Sequence, residues 1–415
     1  MTAMANPNLA LDAFRNAAEQ ELLGRILPFW LEQAPDHLHG GFVGRRESDL
    51  RLVADAPKGL ILNARMLWTF SAVHRVYPDE RHRAMADRAF EALTRSFWDH
   101  EHGGAFWMVE ASGGPADTKK KVYGQAFLVY ALVEYGLATG AAEPLDRAES
   151  LWRLVDDRAH DPVHGGYFET FERDWSPAED VRLSDVDLNE RKSMNNHLHV
   201  LEALSALERA RPSPPVRDRL QEVLRLFEER IVDRRSRHFR LFFDEAWNVR
   251  SDRISFGHDI EGSWLLCEAA EVLEGHPQRV AELAVAMAAA VLAEAVDPDG
   301  GLSYEADPSG IVDSDRHWWP QAEAAVGFLN AFELARDPRF LDASQQAFDY
   351  IQARIVDREH GEWHWRVARD GVPDRSQPKI SQWKCPYHNG RMCLELIRRI
   401  DRLARPRASG SFPAR

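Results

Sequence analysis

Apolar residues recur at three- and four-residue spacing along most of the chain, and this pattern predicts helices arranged in pairs. In each pair the first segment is apolar nearly all round and the second is amphipathic, so we expect the first helix to face inward. A single helix near 9–33 precedes the pairs and another near 386–404 follows them. The predicted pairs are 60–78 with 81–97, 122–139 with 142–157, 192–210 with 213–232, 256–275 with 278–296, and 318–336 with 339–355.

A short motif, typified by "DPVHGGYFE", separates successive helical pairs. An aspartate followed by a glycine pair is typical of a turn after a helix, and the aromatic residues behind it predict a short strand. We interpret the motif as structural. A degenerate copy begins at Asp233, and we expect it to bend the neighbouring loop. The other copies begin at Asp36, Asp99, Asp161, Asp297 and Asp357.

Six turns at nearly even spacing and twelve predicted helices favour an all-α fold, the (α/α)6 barrel, in which six helical hairpins form a closed toroid. The two terminal helices would pair and close the ring, and short β-hairpins would lie in the connecting loops. An open solenoid is the alternative, but it would usually need polar capping repeats, which the terminal helices do not resemble. We expect one catalytic domain over 1–415, with short flexible ends at about 1–8 and 405–415.

The composition and charge of the chain limit the classes of partner that the protein is expected to bind. A formal net charge of −14 argues against nucleic acid, which requires a basic face. No signal peptide is evident and no apolar run is long enough to span a membrane, so we expect a cytoplasmic protein without a membrane partner. Three cysteines fit neither a disulfide framework nor a zinc site. We expect a monomer or weak homodimer.

Long segments lead into the inner helices, and the first turn of each helix is unusually polar or aromatic for a barrel interior. Each side chain alone is open to a structural explanation. Together they would meet at one end of the barrel, and burying so many polar groups without a ligand is costly. The candidates are Arg65, Tyr123, Asp187, Asn195, His199, His258, Glu261, Trp318, Trp319, Glu323, Trp383 and His388.

The candidate chemistry is proton transfer. His197 and His199 lie about 200° apart around a helix, so they do not form a chelating pair, and no motif for a metal, a nucleotide or a serine nucleophile is present. We therefore expect no metal and no cofactor. Carboxylates such as Glu261 and Glu323 leave a glycoside hydrolase open, and a non-catalytic sugar-binding module is a third possibility. Three histidines at separate helix starts favour proton abstraction next to a carbonyl instead.

The segments "NAR" at 63–65, "MNNHLHVLEAL", "GHDIEGSWLL", "WWPQAEA" and "WKCPYHNGRMCLE" resemble the N-acylglucosamine 2-epimerase superfamily over roughly residues 10–403. Within it, they are most similar to the branch that acts on β-1,4-linked disaccharides. The resemblance implies an (α/α)6 barrel and cofactor-free inversion at C2 of the reducing-end sugar through a cis-enediolate. Enzymes of the superfamily acting on mannose, glucose or N-acylglucosamine, and aldose–ketose isomerases, remain alternatives.

The resemblance also implies roles for individual residues. His258 and His388 would be the acid/base pair, and His199 would assist ring opening. Trp383, together with Trp319 or Trp318, would contact the disaccharide, and Asp187 would lie near the site. The side chains expected to hold the reducing-end sugar are Arg65, Tyr123, Asn195 and Glu261.

Overall fold

The computed structural model describes residues 7–274 and 277–404, and this part of the chain forms twelve helical segments joined by loops with short strands. Most of the predicted ends, about 1–8 and 405–415, lie outside the described residues. Among the described helices, none combines the length and the apolar character that crossing a membrane requires.

Six helices line the interior of the molecule and six lie outside them. Four outer helices contain or end in one π-helical turn. The inner helices are α2 Leu60–Val76, α4 Val122–Thr139, α6 Met194–Ala210, α8 Phe256–Leu273, α10 Trp318–Ala335 and α12 Tyr387–Ala404. The outer helices are α1 (Pro7–Glu21, the π turn Leu22–Ile26 and Leu27–Gln33), α3 (Glu80–Ala92 and the π turn Leu93–Phe97), α5 Ala142–Ala159, α7 (Pro214–Leu226 and the π turn Phe227–Ile231), α9 Pro277–Glu294, and α11 (Pro338–Tyr350 and the π turn Ile351–Ile355).

The inner helices form a closed ring. Each one packs against the next along the chain, and α12 packs against both α10 and α2. The first helix, α1, packs on α12, so the two terminal helices complete the sixth pair. The predicted (α/α)6 barrel is confirmed, and the open solenoid is wrong.

Short antiparallel strands surround the end of the barrel where the inner helices begin. The predicted hairpins occur between named strands at β2–β3 and β9–β10, and isolated antiparallel bridges such as Phe171–Pro177 and Phe243–Val249 close similar turns in other loops. In five other pairings, the strand before one inner helix pairs with the strand that follows the next turn motif. These pairings are β1–β2, β4–β5, β6–β7, β8–β9 and β11–β12. The strands are β1 Lys58–Gly59, β2 Met108–Val109, β3 Pro115–Asp117, β4 Lys120–Lys121, β5 Thr170–Phe171, β6 Lys192–Ser193, β7 Phe242–Phe243, β8 Ile254–Ser255, β9 Glu305–Asp307, β10 Gly310–Asp313, β11 Arg316–His317 and β12 Arg366–Val367.

The repeated motif forms the same hydrogen-bonded turn in five copies, and the Asp297 copy forms a turn one residue shorter, with Asp297 N–H on the carbonyl of Gly301 at 3.0 Å. At Asp99, for example, the backbone N–H bonds the carbonyl of Gly104 at 2.8 Å, and the carboxylate accepts two further backbone N–H groups. The degenerate copy closes in the same way, with Asp233 N–H on the carbonyl of His238 at 2.9 Å. Arg237 adopts the positive φ of 70° that glycine has elsewhere. The degenerate turn thus keeps its closing hydrogen bonds, whereas His238, at the second glycine position, lacks the positive φ that Gly104 and Gly166 adopt.

The turns are fastened to the inner helices by buried ion pairs that the sequence analysis did not identify. Lys192, two residues before α6, holds Asp161 at 2.7 Å, and its side chain is fully buried. Lys58 holds Asp36 and Lys120 holds Asp99 in the same register. A lysine placed just before an inner helix thus fixes where that helix begins.

Replacing Lys192 with methionine should destabilise the protein by about 3 kcal/mol, because it leaves the Asp161 carboxylate buried without its cation. Urea unfolding measures the loss. The double variant with Asp161→Asn removes the stranded charge and should recover part of the stability. Equal stability of the lysine variant and the wild type would contradict a structural role for the pair.

Candidate active site

One layer of side chains crosses the barrel near the start of the inner helices. It is made by the fifth or sixth residue of each helix, and several of its members are in contact. The Arg65 guanidinium lies 4.4 Å from the centroid of the Phe127 ring, and the His199 ring lies 4.4 Å from the same ring, measured between centroids. The six residues of this layer are Arg65, Phe127, His199, Glu261, Glu323 and Arg391.

Three histidines, His199, His258 and His388, meet at this layer, and each has one ring nitrogen already held. Nδ1 of His199 lies 3.0 Å from Glu202, Nδ1 of His388 lies 2.7 Å from Glu323, and Nδ1 of His258 lies 2.7 Å from the Ser255 hydroxyl. We call these three residues the histidine cluster. A carboxylate can only accept, so neutral His199 and His388 carry their proton on Nδ1 and present Nε2 as an acceptor.

His197 is not part of the cluster, although it lies two residues from His199. Its Nδ1 bonds the Ser193 carbonyl at 2.7 Å, and its Nε2 accepts the Tyr167 backbone N–H at 2.8 Å. The equivalent fourth positions of α4 and α10, Gln125 and Gln321, accept the corresponding backbone N–H after their own turns. His197 therefore serves the scaffold.

Aromatic rings surround the histidine cluster. The Trp319 ring lies 4.7 Å from the His258 ring and 5.5 Å from the His388 ring, measured between centroids. Tyr123 packs edge-on against His199 at 4.9 Å and also contacts the partly exposed Trp383. Flat apolar faces beside polar groups suit the two sides of a sugar ring.

Trp318 lies elsewhere. Its ring packs against Trp365 at 4.6 Å, and the Lys384 ammonium lies 5.0 Å above it. Of the two tryptophans that the sequence left open, the structure brings Trp319 to the histidines and Trp318 to the wall behind them. The predicted sugar contact of Trp318 has no geometric support.

Two polar side chains at the site have spare hydrogen-bonding atoms. Arg65 donates from Nη2 to the Tyr123 hydroxyl at 3.0 Å, whereas its buried Nε has no partner among the described residues. Asn195 likewise keeps a buried Oδ1 without a partner in the described part of the chain. Buried polar atoms are normally satisfied, so these two groups indicate where a polar ligand would bind.

Arg391 gathers three carboxylates beneath the histidine cluster. Its guanidinium lies 2.5 Å from Glu202, 2.6 Å from Glu261 and 2.7 Å from Glu323. The second oxygen of Glu323 accepts the Trp264 indole N–H at 3.0 Å. Both Glu323 oxygens are thus engaged, so this residue holds His388 and Arg391 instead of a sugar, contrary to its predicted binding role. Among the described residues, Glu261, Glu323 and His388 are the only fully buried group of side chains close enough together to hold a metal ion. The Arg391 guanidinium contacts both carboxylates of this group.

The burial of the site changes its titration. Burial lowers the pKa of His258 to about 3, helped by repulsion from His199 and Arg65. Burial also lowers the pKa of His388 well below its usual range, with Arg65 and Arg391 adding to the effect. Both imidazoles are therefore neutral near pH 7 and able to accept a proton. The pKa of Glu261 is raised to about 7 by burial and by the nearby Glu323 carboxylate, with Arg391 opposing both effects.

Glu261 should make stability depend on pH. Its pKa is raised from 4.5 to about 7 in the folded protein, so the folded state holds a proton that the unfolded state has already lost in this window. Stability relative to Glu261→Gln should fall as pH rises from about 4.5 to about 7, by on the order of 3 kcal/mol, and then level off. Urea unfolding of both proteins across this range is the measurement. A constant difference would contradict a protonated Glu261.

Asp187 was predicted to lie near the site, and a second aspartate, Asp259, lies two residues before Glu261 on α8. Asp187 is partly exposed on a turn, where it accepts the Ser184 backbone N–H at 2.8 Å and the Ser184 hydroxyl at 2.7 Å. Asp259 is fully buried and holds His238 at 2.8 Å, so it belongs to the scaffold.

Glu202, Ser255 and Trp264 were not predicted from the sequence to be part of the site. Glu202 lies three residues after His199 and Ser255 three residues before His258, one helical turn in each case. A search for acceptors one turn from each histidine would have found the first two. Trp264 has no comparable signal, because its contact is with a glutamate on the next inner helix.

The fold and the histidine cluster together define a barrel whose mouth is equipped for acid–base chemistry on a polar, ring-shaped ligand. The sequence model of the family described as N-acylglucosamine 2-epimerase (GlcNAc 2-epimerase) matches residues 41–389. The chain belongs to this family.

Individual relatives are similar over nearly the full length. The cellobiose 2-epimerase of Bacteroides fragilis is 42% identical over 389 residues, which cover 93% of this chain and 99% of the relative. The solved cellobiose 2-epimerase of Spirochaeta thermophila superposes with a TM-score of 0.91 at 40% identity, covering 98% of this chain and 100% of the other. The enzyme of the same name from Bacillus thermoamylovorans gives a TM-score of 0.90 at 39% identity, covering 94% and 100%.

Proposed function

We propose that this protein is an isomerase that inverts C2 of the reducing-end glucose in a β-1,4-linked disaccharide, as in the conversion of cellobiose to glucosyl-mannose or of lactose to epilactose. Relatives that carry the name cellobiose 2-epimerase, at about two-fifths identity over almost the whole chain, support the reaction and the substrate class. The reaction needs no cofactor in this proposal, because proton transfer alone changes the configuration at C2.

The observation that carries the proposal is the histidine cluster itself. Inversion next to a carbonyl needs a group that removes the proton from C2 and a group that returns it with inverted configuration, either from the opposite side or after rotation about the C2–C3 bond. His258 and His388 both lie against the Trp319 ring, and both are neutral near pH 7. A neutral imidazole with a free Nε2 can act as the base, and the resulting imidazolium can act as the acid.

The sequence of steps begins with the cyclic sugar. His199 assists ring opening, which exposes the C1 aldehyde. One of the two remaining histidines removes the proton from C2, the electrons of that bond form the C1–C2 double bond, and the carbonyl π electrons move to the C1 oxygen to give a cis-enediolate. The proton then returns to the other face of C2. Each proton removed is returned, so no external reagent is consumed.

Arg65 is the group proposed to stabilise the enediolate. Its guanidinium is held between the Phe127 and Tyr387 rings, at 4.4 and 4.9 Å from their centroids, and cannot easily turn away. The unpaired Nε is the donor available to the developing oxyanion. A preorganised cation in a site with little water stabilises such a charge far more than it would in bulk solvent. Tyr123, Asn195 and Glu261 would hold the sugar hydroxyls, and Trp383 the second sugar.

Product analysis with a panel of sugars tests the substrate class. Cellobiose and lactose should each yield the C2 epimer, and mannose, glucose and N-acetylglucosamine should react more slowly. Faster turnover of a monosaccharide would move the protein to another branch of the family. Release of free glucose from cellobiose would identify a hydrolase on the same barrel, and a ketose as the main product would identify an isomerase.

A further inference from the structure

Glu202 is buried beneath His199 and has three partners. Its Oε2 faces Nδ1 of His199 at 3.0 Å, and its Oε1 receives the Tyr387 hydroxyl at 2.6 Å and the Arg391 guanidinium at 2.5 Å. Burial by itself would raise the pKa of Glu202, but Arg391 and the hydrogen bond from His199 outweigh it and lower that pKa. The residue is thus an ionised acceptor on both oxygens.

We propose that Glu202 is a positioning residue for His199: its carboxylate fixes the ring proton on Nδ1 and so keeps Nε2 free to exchange protons with the sugar. The inference rests on the proposed function in one respect, namely that His199 acts during ring opening. In that step a proton leaves the C1 hydroxyl, the bond from C1 to the ring oxygen breaks as the C1 carbonyl forms, and the ring oxygen takes up a proton. Nε2 of His199 can accept the first proton and supply the second only if the resting tautomer leaves it unprotonated.

The chain itself offers a sharp substitution. Arg391 has donors only, so a glutamine at position 202 must direct its amide oxygen toward Arg391. The amide NH₂ group then faces Nδ1 of His199, which has to become an acceptor. The ring proton moves to Nε2, and the nitrogen that faces the sugar changes from acceptor to donor. Glu202→Gln therefore reverses the tautomer of a histidine without changing the size of either side chain.

The first experiment is ¹⁵N NMR of protein labelled at the histidine ring nitrogens, with the His199 signals identified by their loss in His199→Gln. The wild type should show His199 protonated on Nδ1, and Glu202→Gln should show it protonated on Nε2. A wild-type protein protonated on Nε2 overturns the proposal without any variant, and so does an unchanged tautomer in Glu202→Gln. This readout does not depend on any activity, so it stands even if the proposed function fails.

The second experiment separates ring opening from chemistry at C2. Catalysed mutarotation of α-cellobiose reports ring opening, and deuterium uptake at C2 reports proton abstraction. Glu202→Gln should lose at least about tenfold in both, with KM changed little, whereas His388→Gln should lose C2 exchange and keep mutarotation. Wild-type mutarotation in Glu202→Gln would overturn the positioning role, whereas a wild-type enzyme inactive in both assays would overturn the proposed function instead.

Glu208→Gln is the matched control. Glu208 lies on the same helix, is equally buried, and accepts the Ser213 backbone N–H at 2.9 Å and the Arg217 guanidinium, away from the histidine cluster. It should leave the His199 tautomer and both rates unchanged. Losses equal to those of Glu202→Gln would show that any lost carboxylate on α6 has this effect, and the proposal would fall.

Discussion

Replacing His388 with glutamine should lower the rate of hydrogen exchange at C2 of cellobiose by about 10²- to 10⁴-fold, the usual contribution of a general acid or base. Glutamine can keep a hydrogen bond to Glu323 and roughly fill the space, but it cannot take up and release a proton near pH 7. The loss should appear in kcat with little change in KM. Deuterium exchange followed by NMR measures it, and circular dichroism checks the fold.

His197→Gln is the control for this substitution, since it makes the same change in another buried histidine. Glutamine already does the work of His197 at the equivalent positions of α4 and α10, where Gln125 and Gln321 accept a backbone N–H at 2.8 Å. This variant should fold and keep its exchange rate. A His388→Gln enzyme as active as His197→Gln would remove His388 from the mechanism.

Replacing Arg391 with methionine should destabilise the protein by about 3–5 kcal/mol, because three buried glutamates then lose the cation that they share. Urea unfolding gives the loss. Arg402→Met on the same helix is the control, since its partner Glu333 is paired at an exposed edge and such pairs contribute about 0–1 kcal/mol.

The pH dependence of the Arg391→Met variant identifies the cause of its instability. Without the guanidinium, the pKa values of Glu261 and Glu323 should rise further above their unfolded values, and the pKa of Glu202 should rise from its lowered value. The folded variant then binds protons more readily than the unfolded chain, so its stability should recover as pH falls. A deficit that is the same at pH 8 and pH 5.5 would show that lost packing, and not uncompensated charge, is responsible.

Much of the fold could be predicted because the chain repeats itself. Apolar periodicity located all twelve helices, and the glycine turns marked where each pair ends. Which strands pair with each other could not be predicted. Lys58 pairs with Val109 across a whole helical hairpin, and no local sequence pattern links the two residues. The Asp233 turn closes without glycine, because Arg237 adopts a left-handed backbone that its residue type does not suggest.

The sequence predicted which helix starts contribute to the candidate site, but it did not predict the direction in which each side chain points. His197 and His199 could be separated because helical geometry places them about 200° apart. The same reasoning could not choose between Trp318 and Trp319, whose orientations depend on Trp365 and His258 on other elements. Helical geometry also could not show that Glu323 forms hydrogen bonds with His388 and Trp264, since those contacts join distant parts of the chain.

The most direct test of the central claim is incubation of the wild-type protein with cellobiose in heavy water, without added metal or cofactor, followed by NMR. We expect deuterium at C2 of the reducing-end sugar together with the appearance of glucosyl-mannose, while the glycosidic bond stays intact. Unlabelled cellobiose recovered unchanged, or cleaved to glucose without label at C2, would contradict epimerisation by the histidine cluster.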